Sequence, residues 1–338
     1  MPISGLNVRE YRCPSCFDPV SFEQCDCTHC GERLLFQDGT LQTIRHDDAR
    51  PCDNRAIIGC NWSAQAGGLY CASCCLNRVI PDLSVSRNVL LWRRVEEAKR
   101  RLIYDLRRLG LPLVSRSGNN IAFAILSDET GPIMTGHLSG LITLNLAEAD
   151  DVEREARRIA FKEPYRTLLG HFRHEVGHFY WDILVDGTKL QAPFDLIFGD
   201  ASQDYQAALA NYYSRIESGY DRNTFISAYA TSHPWEDWAE TFAHFLHILS
   251  ALDTLAGLPL ALDERARQVL EDPYRESDFE ALLSSWTPLA RSINQLNRSL
   301  GLGDAYPFKL AQAVIGKLHL VHMAIAHFRN EPLQRRPD

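Results

Sequence analysis

The chain has 338 residues, about two domains' worth at roughly 150 residues per domain. Its 45% hydrophobic and 23% charged residues are typical of a globular protein and exclude wholesale disorder, a collagen-like repeat and a coiled-coil rod. The net charge of −8 argues against nucleic-acid binding along the whole chain. No apolar run approaches the ~18 residues of a membrane span, and the N-terminus lacks the apolar core of a secretory signal. We therefore expect a cytoplasmic protein without a membrane partner.

Paired cysteines dominate the N-terminal part. All ten cysteines lie within residues 13–75, and residues 76–338 contain none. Cys13 and Cys16 form one Cys-x-x-Cys pair, and Cys27 and Cys30 form a second, ten residues later. Two such pairs can supply four thiolates at tetrahedral positions around one Zn²⁺, as in a zinc ribbon. A disulfide framework is the alternative, and it would require an oxidising compartment.

A second set of cysteines, Cys52, Cys60, Cys71 and Cys74, predicts a second zinc site. Cys75 is adjacent, and the choice of Cys74 depends on the Cys-x-x-Cys spacing. A module this small cannot bury enough apolar area to fold unaided, so both metals are expected to be structural. Residues 1–80 contain seven Arg and no Lys against nine Asp and Glu. This balance favours a protein partner or a structural role for the module over nucleic acid, which is not excluded.

A basic helix is predicted between the two parts of the chain. Ser84 or Ser86 can cap a helix that runs to about Leu109 and ends at Gly110. Leucines and a valine recur on one face at helical spacing. The opposite face contains Arg93, Arg94, Lys99, Arg100, Arg101, Arg107 and Arg108. A solvated basic face is the simpler interpretation, and a site for an anionic partner is the alternative.

His174-Glu175-Val176-Gly177-His178 is the candidate catalytic motif. On a helix, residues i and i+4 share a face, so His174 and His178 can bind one metal ion. Glu175 can then reach a water molecule at that metal. The surrounding residues predict an amphipathic helix from Tyr165 to Trp181, opened by Pro164 at its first turn.

A catalytic zinc site needs a third protein ligand and an open position. The segment from Tyr229 to His244 is the obvious source, because Glu236, Glu240 and His244 share one face of a helix that starts at Pro234. An acidic stripe among tryptophans and phenylalanines is hard to explain as a solvated surface.

The whole chain resembles the bacterial zinc-binding metallopeptidases that carry an N-terminal zinc ribbon. The matching stretches include CASCCLNRVIPDL at 71–83, YRTLLGHFRHEVGHFYWD at 165–182, FGDASQDYQAAL at 198–209 and FISAYATSHPWEDWAETFAHFLH at 225–247. This resemblance implies a zinc-dependent peptidase that acts on a protein or peptide substrate.

Two active-site segments also resemble the lethal-factor class of zinc endopeptidases. That class has a tyrosine seven residues before a metal-binding glutamate and a further glutamate four residues later, and Tyr229, Glu236 and Glu240 match this spacing. The resemblance implies that Glu236 is the third ligand and that Glu240 orients a ligating histidine. It also implies that Tyr229 directs its hydroxyl at the reaction centre.

These observations predict an α+β protein in which a small, β-hairpin-rich zinc-ribbon-like module precedes a mostly helical, zincin-like domain. The expected boundaries are 1–80 for the module with two four-cysteine sites, 81–110 for the connecting helix and 111–338 for the peptidase domain. The expected cofactors are one catalytic and two structural zinc ions.

In the predicted reaction the zinc ion activates water, Glu175 is the general base and Tyr229 stabilises the oxyanion. The run 140–146 is a candidate edge strand for substrate, or an interior strand. The alternative function is a binding module for protein or nucleic acid with a latent or regulatory peptidase domain.

Overall fold

A computed structural model describes residues 11–38, 40, 42–115, 118–128, 131, 133, 135–160, 163, 165–214, 219–258, 269 and 271–330. Its strands are β1 (Leu34–Gln37), β2 (Gln42–Arg45), β3 (Asn77–Val79), β4 (Ala122–Leu126), β5 (Gly136–Leu138) and β6 (Leu141–Asn145). Its helices are α1 (Arg55–Ile58), α2 (Ser86–Leu109), α3 (Asp151–Ala160), α4 (Leu168–Leu184), α5 (Gln191–Ile197), α6 (Tyr205–Ser214), α7 (Pro234–Ala256), α8 (Phe279–Ser299) and α9 (Gln312–Asn330). A cysteine-rich module with short strands thus precedes a mostly helical domain, which confirms the predicted α+β class.

The cysteine-rich module has two separate cores. Strands β1 and β2 form its antiparallel hairpin. The first two cysteine pairs enclose a small cluster of their own with Val20 and Leu34. The second cysteine set instead lies in the main core, together with Trp62 and with Trp92 of α2. At its second cysteine site, the module therefore shares one hydrophobic core with the rest of the protein.

The main sheet has the strand order β3-β4-β6-β5, and β5 is antiparallel to its neighbour β6. Strand β6 pairs with β4 on its other side, so the run 140–146 supplies an interior strand and not the edge. The edge belongs to β5, three residues earlier in the chain. The sequence could not separate these two roles because both strands are short and partly apolar.

Helix α2 has about the predicted extent, but several of its charged side chains are buried where the prediction places them in solvent. It begins at Ser86 after Val85, which takes the N-cap position without a side-chain hydrogen bond, so the predicted serine cap is wrong. It ends at Leu109, and the C-cap is Gly110, whose φ of +69° favours glycine. The predicted solvated basic face is wrong for Lys99, Arg100 and Arg108, which are all buried. Lys99 pairs with a buried glutamate, Glu96, at 2.7 Å. Burial of an unpaired charge is costly, so a buried cation needs an acidic partner. Cations that are paired in this way hold the fold together and are not available to an external ligand.

Four other arginines of α2 also form ion pairs. Four ion pairs join them to acidic side chains of other segments: Arg87–Asp150, Arg94–Asp151, Arg101–Glu23 and Arg107–Asp38. These partners neutralise much of the positive face that an anionic ligand would need. The arrangement argues against an anionic-partner site on this helix.

Helices α4 and α7 pack closely and bring the motif segments together. Helix α4 begins three residues later than predicted, because the Thr167 side chain caps it by accepting from the Gly170 amide. Pro164, which the prediction placed in the first turn, lies outside the described residues. Helix α7 begins at Pro234 as predicted, and His233 caps it by accepting from the Trp235 amide.

A glycine permits this close approach. A Cβ atom added at Gly177 would lie 2.9 Å from Cα and 3.1 Å from the carbonyl oxygen of Ala239 in α7. The Trp238 indole donates to the Gly177 carbonyl oxygen at 3.0 Å across the same contact. Within the described residues, no helix is both long and apolar enough to cross a membrane.

Candidate metal centres

Both predicted four-cysteine sets assemble into compact clusters. The sulfur atoms of Cys13, Cys16, Cys27 and Cys30 lie close together, as do those of Cys52, Cys60, Cys71 and Cys74. All ten cysteines are described, and all are free thiols. Sulfur separations are 3.6–3.9 Å, for example 3.6 Å for Cys13–Cys30 and 3.9 Å for Cys60–Cys74. A tetrahedral zinc site with Zn–S bonds of ~2.3 Å requires roughly 3.8 Å, whereas a disulfide requires ~2.05 Å.

The second cluster contains Cys74 and not its neighbour Cys75, a choice that in the sequence depended on spacing alone. Cys74 joins the cluster, and its amide donates to the Cys71 sulfur at 3.4 Å, as in a metal-binding turn. Cys75 is exposed and donates to the Ala72 carbonyl oxygen. Arg100 lies beside this cluster, where burial opposes its charge but Cys60 and Glu96 raise its pKa. A buried guanidinium is well suited to balance the negative charge of four thiolates and one Zn²⁺.

The motif histidines meet a carboxylate from α7. Nε2 of His174 and Nε2 of His178 are 3.2 Å apart. Oε2 of Glu236 lies 2.9 Å from the first nitrogen and 3.3 Å from the second. For Zn–N and Zn–O bonds of ~2.0–2.1 Å, a tetrahedral site requires ligand separations of roughly 3.3 Å. The three ligand atoms therefore have the spacing that one zinc ion needs.

The chemistry of these side chains also suits a cation. Glu236 is 1% exposed, and its Oε2 is a buried oxygen without a hydrogen-bond donor among the described residues. Burial opposes protonation of His174, yet Glu236 and Glu240 raise its pKa well above the ordinary value. The site thus stabilises positive charge at the point where the two nitrogens and the oxygen converge. These residues fit a zinc ion.

Glu240 lies behind the first histidine and not among the three converging atoms. Its Oε1 is 2.7 Å from Nδ1 of His174, the nitrogen that faces away from Glu236. Burial acts to raise the pKa of Glu240, but the hydrogen bond to His174 lowers it to about 2. An ionised carboxylate here holds the imidazole with Nε2 directed at the metal position.

Glu175 and Tyr229 both border the site. Glu175 is 9% exposed, and burial raises its pKa despite the opposing effect of His174 and His178. The Tyr229 ring lies 5.8 Å from the His174 ring, on the 3-10 turn that precedes α7. Burial, followed by the charge of Glu236, raises the pKa of Tyr229, so its phenol is a neutral donor near pH 7.

Sequence reasoning did not identify two further aromatic residues of the site. The Tyr205 hydroxyl donates to Glu236 Oε1 at 2.5 Å. The Trp235 ring lies 4.0 Å from the His178 ring. Tyr205 falls in a segment that the family resemblance quoted, but no spacing rule connected it with Glu236, 31 residues later. In the sequence, Trp235 is only one of the aromatic residues that accompany the acidic stripe.

The edge strand β5 lies next to helix α4. The His137 ring of β5 stacks 6.4 Å from the His178 ring, and it also contacts Phe179 at 6.2 Å. Among the described residues, β5 pairs with β6 on one side only. A strand with a free edge therefore borders the metal position.

Two four-cysteine clusters, a histidine pair on α4 and a glutamate on α7 are the features of a zinc-dependent peptidase preceded by a zinc ribbon. The comparisons agree with this class. Residues 88–324 match the family described as "Putative zinc-binding metallo-peptidase", and residues 10–85 match a zinc-ribbon domain. The chain belongs to this zinc-binding metallopeptidase family.

Similar proteins occur in mycobacteria. An uncharacterized protein of Mycobacterium tuberculosis (strain ATCC 25618 / H37Rv) is 42% identical over 329 residues, which cover 94% of this chain and 95% of the relative. An uncharacterized protein of Mycobacterium bovis has the same identity and coverage. No solved structure matches the chain. The family assignment confirms the predicted resemblance, and it implies protein or peptide substrates.

Proposed function

We propose that the chain hydrolyses peptide bonds at a zinc ion held by His174, His178 and Glu236. The observation that carries this proposal is the 2.9–3.3 Å triangle of ligand atoms, with Glu175 on the same helix beside it. When bound, a zinc ion supplies a Lewis acid that activates water near neutral pH. The remaining roles belong to the protein.

Glu175 accepts a proton from the attacking water and later donates it to the leaving amine. Its burial suits this role, because a carboxylate whose pKa is raised towards neutrality exchanges protons more readily in both directions. The phenol of Tyr229 donates a hydrogen bond to the developing oxyanion. Glu240 keeps His174 oriented throughout.

Strand β5 is the proposed docking edge for substrate. An extended peptide can add to a free strand edge through backbone hydrogen bonds, which do not depend on its sequence. The contact between His137 and His178 places that edge beside the metal position. We propose two further zinc ions, one for each four-cysteine cluster, with structural roles, and intracellular protein as the substrate.

Cleavage of unfolded proteins and of a random peptide library by the zinc-loaded chain tests this function. The Glu175→Gln variant keeps the shape of the side chain but cannot accept the proton, so we expect no cleavage and an unchanged zinc content. Glu153→Gln is the matched control, because Glu153 is exposed on α3. Equal turnover by wild type and Glu175→Gln would exclude Glu175 as the base.

The same Glu175→Gln variant can identify the substrate. A protein that binds this variant but is not cleaved should remain associated with it. Capture from the native host followed by mass spectrometry should therefore identify substrate proteins that are bound through extended segments. Material that binds wild type and variant equally, and that wild type never cleaves, would favour a binding module instead.

A further inference from the structure

Helix α6 contacts the metal centre through its first residue. Tyr205 donates to Oε1 of Glu236, while Oε2 of the same carboxylate faces the two histidine nitrogens. The Tyr205 ring packs edge-on against His233 at 5.3 Å and Trp235 at 5.6 Å. One phenol thus fixes the rotation of the carboxylate that completes the ligand triangle.

Within the part of the chain that the structure describes, helix α6 has few other attachments. None of its residues is buried. Asp204 caps its N-terminus locally by accepting from the Ala207 amide at 3.0 Å. The Tyr212 ring lies 5.6 Å from the Tyr229 ring. A ten-residue helix is marginal without tertiary contacts, so the bond to Glu236 is a large part of what holds α6 in place.

We propose that Tyr205 is a positioning residue for Glu236, and that metal binding and the docking of α6 are therefore coupled. The proposal rests on the zinc site of the proposed function. The phenol holds Oε1, which leaves Oε2 directed at the histidines. A metal ion that binds Oε2 selects the same side-chain rotation. Since both partners stabilise one arrangement of Glu236, each must strengthen the other by the same factor.

This coupling gives α6 a role that its exposure alone does not suggest. His178 is 4% exposed and Glu236 is 1% exposed, so the metal position is covered from several sides. Tyr205 is part of that cover, and Tyr212 extends it to Tyr229. With zinc bound, α6 is docked and the cover is complete. Without it, the docking of α6 weakens by the same factor and the site opens more readily at this side.

Zinc affinity of the Tyr205→Phe variant tests the first half of the proposal. The full chain is titrated with a chelator. The measured quantity is release of the third zinc, the ion proposed at His174, His178 and Glu236. The two zinc ions at the cysteine clusters serve as an internal reference. Loss of a group that orients a ligand typically weakens metal binding about 10–100-fold, and we expect this range. Tyr213→Phe is the matched control, because it removes a phenol from the same helix at a position that is 52% exposed. Its affinity should stay within about twofold of wild type.

Hydrogen exchange of the α6 amides tests the second half. In wild type, removal of the third zinc should lower α6 protection at least about tenfold while α4 and α7 keep theirs. In Tyr205→Phe, α6 should exchange rapidly with or without zinc. A purely structural tyrosine would change α6 protection without any change in zinc affinity.

The outcomes separate this inference from the proposed function. If wild type binds no third zinc, the metal site itself is wrong. If wild type binds it, and Tyr205→Phe matches wild type in both affinity and zinc-dependent α6 protection, the coupling is refuted and the peptidase site stands.

Discussion

Gly177→Ala is the substitution that most directly tests how the metal site is built. The added Cβ would lie 2.9 Å from Cα of Ala239, which belongs to the backbone of α7 and cannot rotate away. Carbon atoms in ordinary contact are ~3.5–4.0 Å apart. The two helices must therefore separate by about 0.5 Å or more at this point.

The expected loss of stability is modest, because two effects oppose each other. Overpacking of a close contact costs about 1–3 kcal/mol. Replacement of glycine by alanine inside a helix contributes about 1 kcal/mol in favour of folding. The net destabilisation should be about 0–2 kcal/mol, so the variant should fold.

The effect on the metal site should be larger than the effect on stability. Glu236 lies three residues before Ala239, so a displaced α7 moves its Oε2 away from the two histidine nitrogens. Functional constellations tolerate errors of ~0.5 Å at most. We expect the third zinc to bind about tenfold more weakly or worse, with no change at the four-cysteine clusters. Chelator competition and thermal unfolding on the same sample measure the two effects.

Gly316→Ala is the matched control, since it is also a glycine within a helix and no atom lies within 4 Å of the added Cβ. It should raise stability by up to about 1 kcal/mol and leave all zinc affinities unchanged. A Gly177→Ala variant that binds the third zinc as tightly as wild type would refute the reasoning, because the close approach of α4 and α7 would then not position Glu236.

Four further predictions concern the metals and the catalytic groups. Purified protein should contain three zinc ions per chain by elemental analysis, one for each candidate site, and a value near two would remove one proposed site. Glu236→Ala should abolish binding of the third zinc, whereas Glu240→Ala should weaken it about 10–100-fold; the reverse order in a chelator titration would exchange their roles. Tyr229→Phe should keep normal zinc content and KM but lower kcat about 10²–10³-fold, and a kcat within about threefold of wild type would leave the hydroxyl no catalytic role. Cys60→Ser should unfold the main core, because a structural zinc contributes about 10–16 kcal/mol, whereas Cys13→Ser should loosen only the first cysteine cluster. Circular dichroism and retention of the third zinc should distinguish these two cysteine variants.

The sequence predicted those parts of the site that depend on local geometry. His174 and His178 converge because the helical repeat places i and i+4 on one face, whatever the rest of the chain does. The same holds for the Cys-x-x-Cys pairs and for the start of α7 at Pro234, where proline and a capping side chain act within one turn. Such features follow from a few neighbouring residues.

The parts that the sequence missed depend on contacts between distant segments. Tyr205 binds Glu236 from 31 residues away, and no periodicity relates the two. The buried pairing of Lys99 was unpredictable for a similar reason, since a charge run normally indicates a solvated face. Gly177 could be recognised as part of the motif, but its need to be glycine appears only when α7 lies against it.

Buried polar contacts attach α2 to the second cysteine cluster at one point and to α4 at another. The Cys74 sulfur lies 3.7 Å from Oε2 of Glu96, at the N-terminal half of α2. Nine residues further along α2, Asp105 pairs with Arg173 at 2.7 Å, and Arg173 immediately precedes the first motif histidine. Removing one partner of a buried ion pair costs about 3–5 kcal/mol, so α2 cannot leave its place without loss at α4. We therefore expect the cysteine module to stay attached to the peptidase domain at this end. Its second cluster packs against α2, and α2 in turn pairs with α4, the helix that contains the proposed metal-binding histidines.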